Sequence, residues 1–231
     1  MIRDPLTAYV SRHGGAEHRL VELAESKYDP STAEDAFRQF VEAATAGSAL
    51  AMCICSRLLR EGRGTPQSPE QALLWAEQAA NSDFAPGMYE LARCYEYGVG
   101  VKPDILKAAK IYERSISAGY GFAAHRLGRA YYRGEVGITD VSKAVECMKR
   151  AYELGDSNGA HDLAEWYESG ERLPPDHREA VLWYERASEL GDPFASFRLQ
   201  LAYSMGELGL PKNPELARKY EELSKIQTSQ A

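Results

Sequence analysis

Small and large apolar residues recur along this chain at a fixed step of 36 residues. Alanine keeps the step from Ala36 to Ala180, and Ala217 follows after one extra residue. A leucine column and a tyrosine column keep the same step; their members are Leu91, Leu127, Leu163, Leu199, Tyr95, Tyr131, Tyr167 and Tyr203. A period of this length is typical of arrays in which one supersecondary unit stacks on the next.

Each period predicts two helices. The leucine and tyrosine columns lie four residues apart and therefore share one face of the first helix. This helix is expected to end at a glycine column: Gly62, Gly98, Gly134, Gly170 and Gly206. The second helix is expected to begin at capping residues, which are Thr32, Ser68, Asp104, Asp140, Asp176 and Asn213, with a capping box between Asp176 and Glu179. It carries the alanine column and ends at Gly47, Gly119, Gly155 and Gly191, a column in which Asp83 is the exception.

Stacked hairpins of this kind share one continuous core, because a small alanine on one helix faces a large apolar side chain on the next. We therefore predict an all-α fold of about five 36-residue helix-hairpin repeats. Residues 1–31 are assigned to an N-terminal helical cap, with a helix near 16–27. Residues 32–227 are assigned to the repeat array, and residues 228–231 to a polar tail that frays.

These columns resemble the Sel-one-like repeat (SLR) family, a relative of the tetratricopeptide repeat. The best match to its pattern runs Leu91, Ala92, Tyr95, Gly98, Val99, Gly100, Val101, Asp104, Lys107, Ala108, Tyr112 and Gly119. The resemblance covers about residues 36–227; it departs at Leu59, which replaces the tyrosine, and at Val136 and Arg172, which replace a loop glycine. It implies a right-handed superhelical solenoid whose first helices line a concave groove. It also implies an adaptor or scaffold.

If the leucine and tyrosine columns face the core, another stripe of each first helix faces outward. The stripe comprises Cys53, Arg57, Arg60, Tyr89, Arg93, Glu96, His125, Arg129, Tyr132, His161, Glu165, Glu168, Phe197, Leu201 and Ser204, with Tyr97 and Arg133 beside it. Twelve of these are our candidate partner-binding residues: Arg57, Arg60, Tyr89, Arg93, Tyr97, His125, Arg129, Tyr132, Arg133, His161, Glu165 and Phe197.

Arginine flanked by aromatic rings is typical of recognition surfaces, since the guanidinium group pairs with carboxylates and stacks on rings. We predict that the part of the stripe from Arg57 to Arg133 binds an acidic segment of a protein partner. The part with Glu165, Phe197 and Leu201 would favour an apolar or basic one. In the alternative interpretation, the arginines only form ion pairs with glutamates of the same chain and decorate a solvated surface.

Composition narrows the partner class. A formal charge of −7 and a pI near 5.4 argue against non-specific nucleic-acid binding, which usually needs a broad basic surface. The first residues lack the apolar run of a signal peptide or membrane anchor. The four cysteines show no disulfide-like or zinc-like spacing. We therefore expect a cytoplasmic protein with reduced thiols that binds neither nucleic acid nor membrane.

No catalytic motif stands out in the sequence. His125 and His161 share a column, but two imidazoles without a further ligand favour packing over metal binding. No nucleophile elbow, phosphate loop or zinc-protease motif is found. We therefore expect neither an enzyme nor a bound cofactor or metal. The leading hypothesis is a protein-interaction scaffold; the alternative is a cytosolic inhibitor or immunity protein that occludes a toxin or effector.

Overall fold

The computed structural model describes residues 33–230, which hold eleven α-helices and no β-strand. The helices are α1 (Ala33–Thr45), α2 (Ala49–Glu61), α3 (Pro69–Asn81), α4 (Ala85–Tyr97), α5 (Ile105–Ser117), α6 (Gly121–Arg133), α7 (Val141–Glu153), α8 (Ser157–Ser169), α9 (His177–Glu189), α10 (Pro193–Met205) and α11 (Pro214–Gln230). After α1 they form five hairpins, from α2–α3 to α10–α11, whose first helices begin 36 residues apart. The predicted all-α array of five hairpins is confirmed. The proposed N-terminal cap and Thr32 lie outside the described residues.

Residues 33–123 form one compact unit and residues 124–230 a second, with the boundary inside α6. In the N-terminal unit, large apolar side chains of α1 and α2 pack against small ones. Phe40, Leu50, Ile54 and Leu58 are fully buried there. They share this core with alanines of α1 and α3, which are Ala36, Ala44 and Ala79. The small residues allow the helices to approach closely while the large ones fill the remaining space.

The C-terminal unit repeats the same arrangement. Leu163 of α8 and Leu199 of α10 are completely buried, together with Ala144 and Ala180 of the alanine column. Tyr203 stacks on Tyr220 of α11 with ring centroids 5.8 Å apart. The predicted alanine and leucine columns therefore form the core of this unit, and the tyrosines pack at its margin.

Most predicted helix starts carry the capping bonds that their residue types favour. The carboxylates of Asp104 and Asp140 accept hydrogen bonds from the amides of Lys107 and Lys143. Asn213 accepts from the amides of Glu215 and Leu216 in the same way. These bonds satisfy N–H groups that have no partner within the first turn. Ser68 stands at the predicted position, but its side chain makes no capping bond.

One local expectation, the capping box of α9, differs from the structure. Asp176 caps α9, but the Glu179 carboxylate does not complete a capping box; it accepts a hydrogen bond from the Trp183 indole instead. The Asp176 amide already donates to the Tyr167 carbonyl and needs no second acceptor. Helix α11 continues to Gln230, and fraying of the segment 228–231 stays a prediction. The Thr228 hydroxyl donates to the Ser224 carbonyl there, so polar residues continue the helix.

Candidate partner-binding surfaces

The outward face of α4 holds one arginine between two tyrosines. Tyr89, Arg93 and Tyr97 follow each other at intervals of four residues and therefore share a face. The Arg93 guanidinium carbon lies 5.8 Å from the Tyr89 ring centroid and 5.6 Å from that of Tyr97. Burial opposes the charge of Arg93, but Glu90 and the tyrosines hold its pKa above the ordinary value. The cation is therefore kept in a partly desolvated, ring-lined position.

Tyr89 is held in place by a group of aromatic residues. Its ring centroid lies 5.6 Å from that of Tyr112 and 5.3 Å from that of Tyr120, both of which are buried. The Tyr112 hydroxyl donates a 2.6 Å hydrogen bond to Glu96 Oε2. Tyr97, in contrast, has 54% of its surface exposed. The face thus combines a supported ring with an accessible one.

The other arginines of the stripe have different surroundings. Arg60 lies 3.1 Å from Glu61 and 3.9 Å from Glu90, so it belongs to an ion-pair cluster within the chain. Arg57 is half-buried on α2. Among the described residues, Arg93 forms no ion pair with a carboxylate, although the charge of Glu90 acts on its guanidinium group. Arg60 forms ion pairs within the chain, as the intramolecular interpretation expects, whereas partner binding by Arg93 stays a prediction.

The outward placement of Cys53 is wrong. Cys53 is fully buried, and so are its neighbours on α2 from Leu50 to Ser56. Burial is therefore not confined to one face of this helix. The Cys53 side chain contributes to the core and not to an accessible surface.

In the C-terminal unit, two candidate cations of α6 converge on one carboxylate of α8. His125 Nε2 lies 3.0 Å from Asp162 Oδ2, and Arg129 Nε lies 3.7 Å from the same oxygen. Burial would raise the pKa of Asp162, but the hydrogen bond with His125 and the charge of Arg129 hold it below the ordinary value. His125 also lies 4.0 Å from the buried carboxylate of Asp156, the residue that caps α8. These contacts join neighbouring hairpins, so His125 and Arg129 have a packing role.

Tyr132 lies in the core and not on the surface. Its ring stacks on Trp166 with centroids 3.9 Å apart and planes within 7°, and only 8% of the residue is exposed. The Arg172 guanidinium covers the ring at 5.1 Å. Arg133 remains exposed and lies 3.6 Å from Glu135. The sequence stripe therefore mixes residues that pack between hairpins with residues that face outward.

His161 of α8 is held between two carboxylates. Its Nδ1 lies 3.0 Å from Asp192, the residue that caps α10, and its Nε2 lies 3.5 Å from Glu165. Burial opposes protonation, but these carboxylates outweigh it and raise the pKa of His161 to about 10. The imidazole is therefore charged at neutral pH. Within residues 33–230 no group of histidine, cysteine or acidic side chains is arranged to hold a metal ion.

We expect His161→Gln to lower the free energy of unfolding by about 2 kcal/mol near pH 6. The variant loses the attraction between the charged imidazole and the carboxylates of Asp192 and Glu165. The pKa of His161 in the folded state, about 10, lies above its ordinary value of 6.5. The stabilisation is therefore complete below about pH 6.5 and is lost as the pH rises through about 10. Urea unfolding near pH 6 and near pH 10 should show the difference between wild type and variant shrinking. His177→Gln, at an exposed position, is the control; an equal loss at both pH values would contradict the assignment.

Helix α10 presents apolar side chains to solvent. Phe197 is 51% exposed, and Phe194 and Met205 on the same face are exposed as well. Leu201 lies between them and is half-buried. Phe194 and Met205 are not among the candidate partner-binding residues chosen from the sequence. Their spacing from Phe197 and Leu201 nevertheless places all four on one helical face. Phe194 also contacts His161, with ring centroids 6.5 Å apart.

A second ionic cluster lies beside this face. Arg198 Nε donates to Glu168 at 3.1 Å, and its Nη1 donates to Glu207 at 2.7 Å. The Tyr184 hydroxyl donates a further bond to Glu168. Burial alone would raise the pKa of Glu168, but the bonds from Arg198 and Tyr184 hold it below the ordinary value. The Arg198 guanidinium group thus contacts two carboxylates.

The Sel1 repeat model matches residues 49–84, 85–120, 121–156, 157–192 and 195–222, which correspond to the five hairpins. The chain therefore belongs to the Sel1 repeat family, the family that its repeat columns resemble. Its fold is a repeat scaffold suited to protein interaction. No helix within residues 33–230 has the length and apolar character needed to cross a bilayer.

Several solved structures share the fold. A Sel1 repeat protein from Oxalobacter formigenes matches with a TM-score of 0.71 and 24% identity, over 97% of this chain and 89% of that protein. The immunity protein Pa5087 from Pseudomonas aeruginosa matches with a TM-score of 0.66 and 18% identity, over 97% and 83%. The protective antigen c5321 of uropathogenic Escherichia coli matches with a TM-score of 0.60 and 24% identity, over 84% and 42%. At these identities the likeness concerns the fold. No match to a curated protein was found.

Proposed function

We propose that this chain is a non-enzymatic scaffold that binds an acidic segment of a protein partner at the Tyr89–Arg93–Tyr97 face of α4. One observation carries the proposal: Arg93 lies between two aromatic rings and forms no ion pair with a carboxylate among the described residues. A guanidinium in this state can form two parallel hydrogen bonds with an incoming carboxylate. Little side-chain entropy is lost, because the rings already restrict the arginine.

The surrounding charges make the site selective. The chain as a whole is acidic, with a formal charge of −7, so an acidic partner would be repelled from most of the surface. Arg93 offers a local exception, and the exposed ring of Tyr97 adds apolar contact area. The same overall charge disfavours nucleic acid and anionic membranes as partners. We therefore assign the site to protein.

Charge reversal at Arg93 tests the proposal. The immobilised chain is incubated with native lysate, and captured proteins are quantified for wild type, Arg93→Glu and the control Arg114→Glu, which reverses an exposed arginine on α5 of the same unit. We expect Arg93→Glu to lower capture of a specific partner at least about tenfold, with Arg114→Glu retaining it. Circular dichroism checks that both variants fold. Capture that is unaffected by Arg93→Glu would refute the site.

Arg129 is unsuitable for the same test. It lies 3.7 Å from Asp162, and a glutamate there would oppose that carboxylate across the hairpin interface. Reversal of Arg129 would therefore change packing as well as any partner contact.

A second candidate function is inhibition, in which the chain occludes a toxin or effector protein. The observation that favours it is the shared fold with two immunity proteins of Pseudomonas aeruginosa, Pa5087 and PA5088. The two functions differ in the lifetime of the complex. An inhibitor that must keep an enzyme silent dissociates over hours, whereas an adaptor exchanges its partner within seconds to minutes. The dissociation rate of the captured partner, measured by surface plasmon resonance, separates them.

The cysteines support a cytoplasmic location. Cys55 and Cys94 are buried and form no disulfide bond. Burial raises the pKa of the Cys55 and Cys94 thiols to about 12, so the reactive thiolate form is suppressed. Buried thiols that form no disulfide bond are typical of a reducing compartment. Cell fractionation with an antibody to the chain tests this location.

A further inference from the structure

The exposed face of α10 departs from the rest of the repeat pattern. Positions held by His161 and Glu165 on α8 are held by Phe197 and Leu201 on α10, 36 residues later. We call Phe194, Phe197, Leu201 and Met205 the α10 apolar face. Three of its four side chains have more than half of their surface exposed. A helix whose outward face is apolar is normally covered by another element.

On α6 and α8, residues at equivalent repeat positions contact the first helix of the next hairpin. His125 and Tyr132 of α6 contact Asp162 and Trp166, which belong to the next first helix, α8. Glu168 of α8 in turn contacts Arg198 of α10. Phe197 and Ser204 hold the equivalent positions of α10, but α11 is a second helix, so no further first helix follows within residues 33–230. A helix is therefore the element whose shape this surface fits.

The charged residues beside the α10 apolar face indicate which side chains a covering helix would carry. On the side of α10 that faces α8, protonated His161 is shared by Asp192 and Glu165, which leaves one net negative charge. Further along, Arg198 is shared by Glu168 and Glu207, which leaves another. The α10 apolar face itself carries no charge. A second copy of this chain would bring the same negative borders against these, so like charges would repel.

We propose that the α10 apolar face binds an amphipathic helix of a protein partner, with apolar residues against Phe194, Phe197, Leu201 and Met205 and basic residues along the α8 border. Spacings of three, four and seven residues in the partner helix would match this face. This surface lies in the C-terminal unit and differs in chemistry from the arginine site of α4. The chain would then recognise two segments of opposite charge.

The probe for the test is a helical peptide of leucines and lysines with amphipathic spacing. Its matched comparison has glutamates in place of the lysines. Binding is measured by isothermal titration calorimetry, and the gain in peptide helicity by circular dichroism. The variant Phe197→Ser with Leu201→Ser removes the centre of the face, and Glu165→Lys reverses a border charge. Ile226→Ser, at an exposed apolar position of α11, is the control.

We expect the lysine peptide to bind wild type and the Ile226→Ser control. It should bind the double serine variant at least about tenfold more weakly, and Glu165→Lys more weakly as well. Arg93→Glu should leave this binding unchanged, so failure here is distinct from failure of the α4 site. No binding up to about 1 mM, or equal binding of the glutamate peptide, would overturn the proposal. Self-association of wild type, or attachment to anionic vesicles, that the double serine variant abolishes would also overturn it.

Discussion

Leu163→Ala is expected to lower the free energy of unfolding by about 3 kcal/mol. Leu163 is completely buried on α8 among Ala160, Ala164 and Ala180, so its loss leaves a cavity that small neighbours cannot fill. Leu182→Ala on α9 is the control, because 37% of that side chain is exposed, and its cost should stay below about 1 kcal/mol. Urea unfolding followed by circular dichroism measures both. Similar losses for the two variants would show that the leucine column is not the core of this unit.

The second prediction is that Gly100→Ala lowers the free energy of unfolding by about 3 kcal/mol. Gly100 has φ +68°, where an L side chain is strained by about 1 kcal/mol. A Cβ at this position would also overlap the carbonyl oxygen of Pro69, at the start of α3, with the carbonyl carbon only 2.9 Å away. Backbone atoms cannot yield as a flexible side chain can, so overpacking adds about 2 kcal/mol.

Gly119→Ala separates these two contributions. Gly119 has φ +93°, but a Cβ there would meet no atom within 4 Å. Gly119→Ala should lower the free energy of unfolding only by the strain of the left-handed conformation, about 1 kcal/mol. Chemical unfolding of both variants checks the difference, and equal losses would mean that the contact with Pro69 relaxes freely.

The two proposed surfaces share one structural feature. Arg93 and the α10 apolar face lie on first helices of different units, and each presents groups that the chain itself leaves available. Elsewhere the outward stripe is occupied by contacts between hairpins, as at His125 and Tyr132. The repeat would thus use one set of positions both to join neighbouring hairpins and to bind partners.

The arrangement of helices was readable from the sequence because its causes are local. The capping carboxylates of Asp104 and Asp140 and the glycines that end each helix act within a few residues of themselves. Asp83, which replaces a glycine in its column, adopts a positive φ as the glycines do, at +52°. The alanine and leucine columns set which faces meet, since helical periodicity fixes direction along each element.

The sequence alone determined the fold class, the five hairpins and the candidate stripe, because each follows from residues close together in the chain. Only the tertiary structure decided which stripe residues are available. Tyr132 is buried by Trp166, 34 positions further on, whereas Arg93 forms no ion pair within residues 33–230 and Phe194 joins an exposed face. These outcomes depend on distances between side chains of different hairpins. A spacing rule along one helix carries no information about those distances, since packing fixes them only when the helices meet.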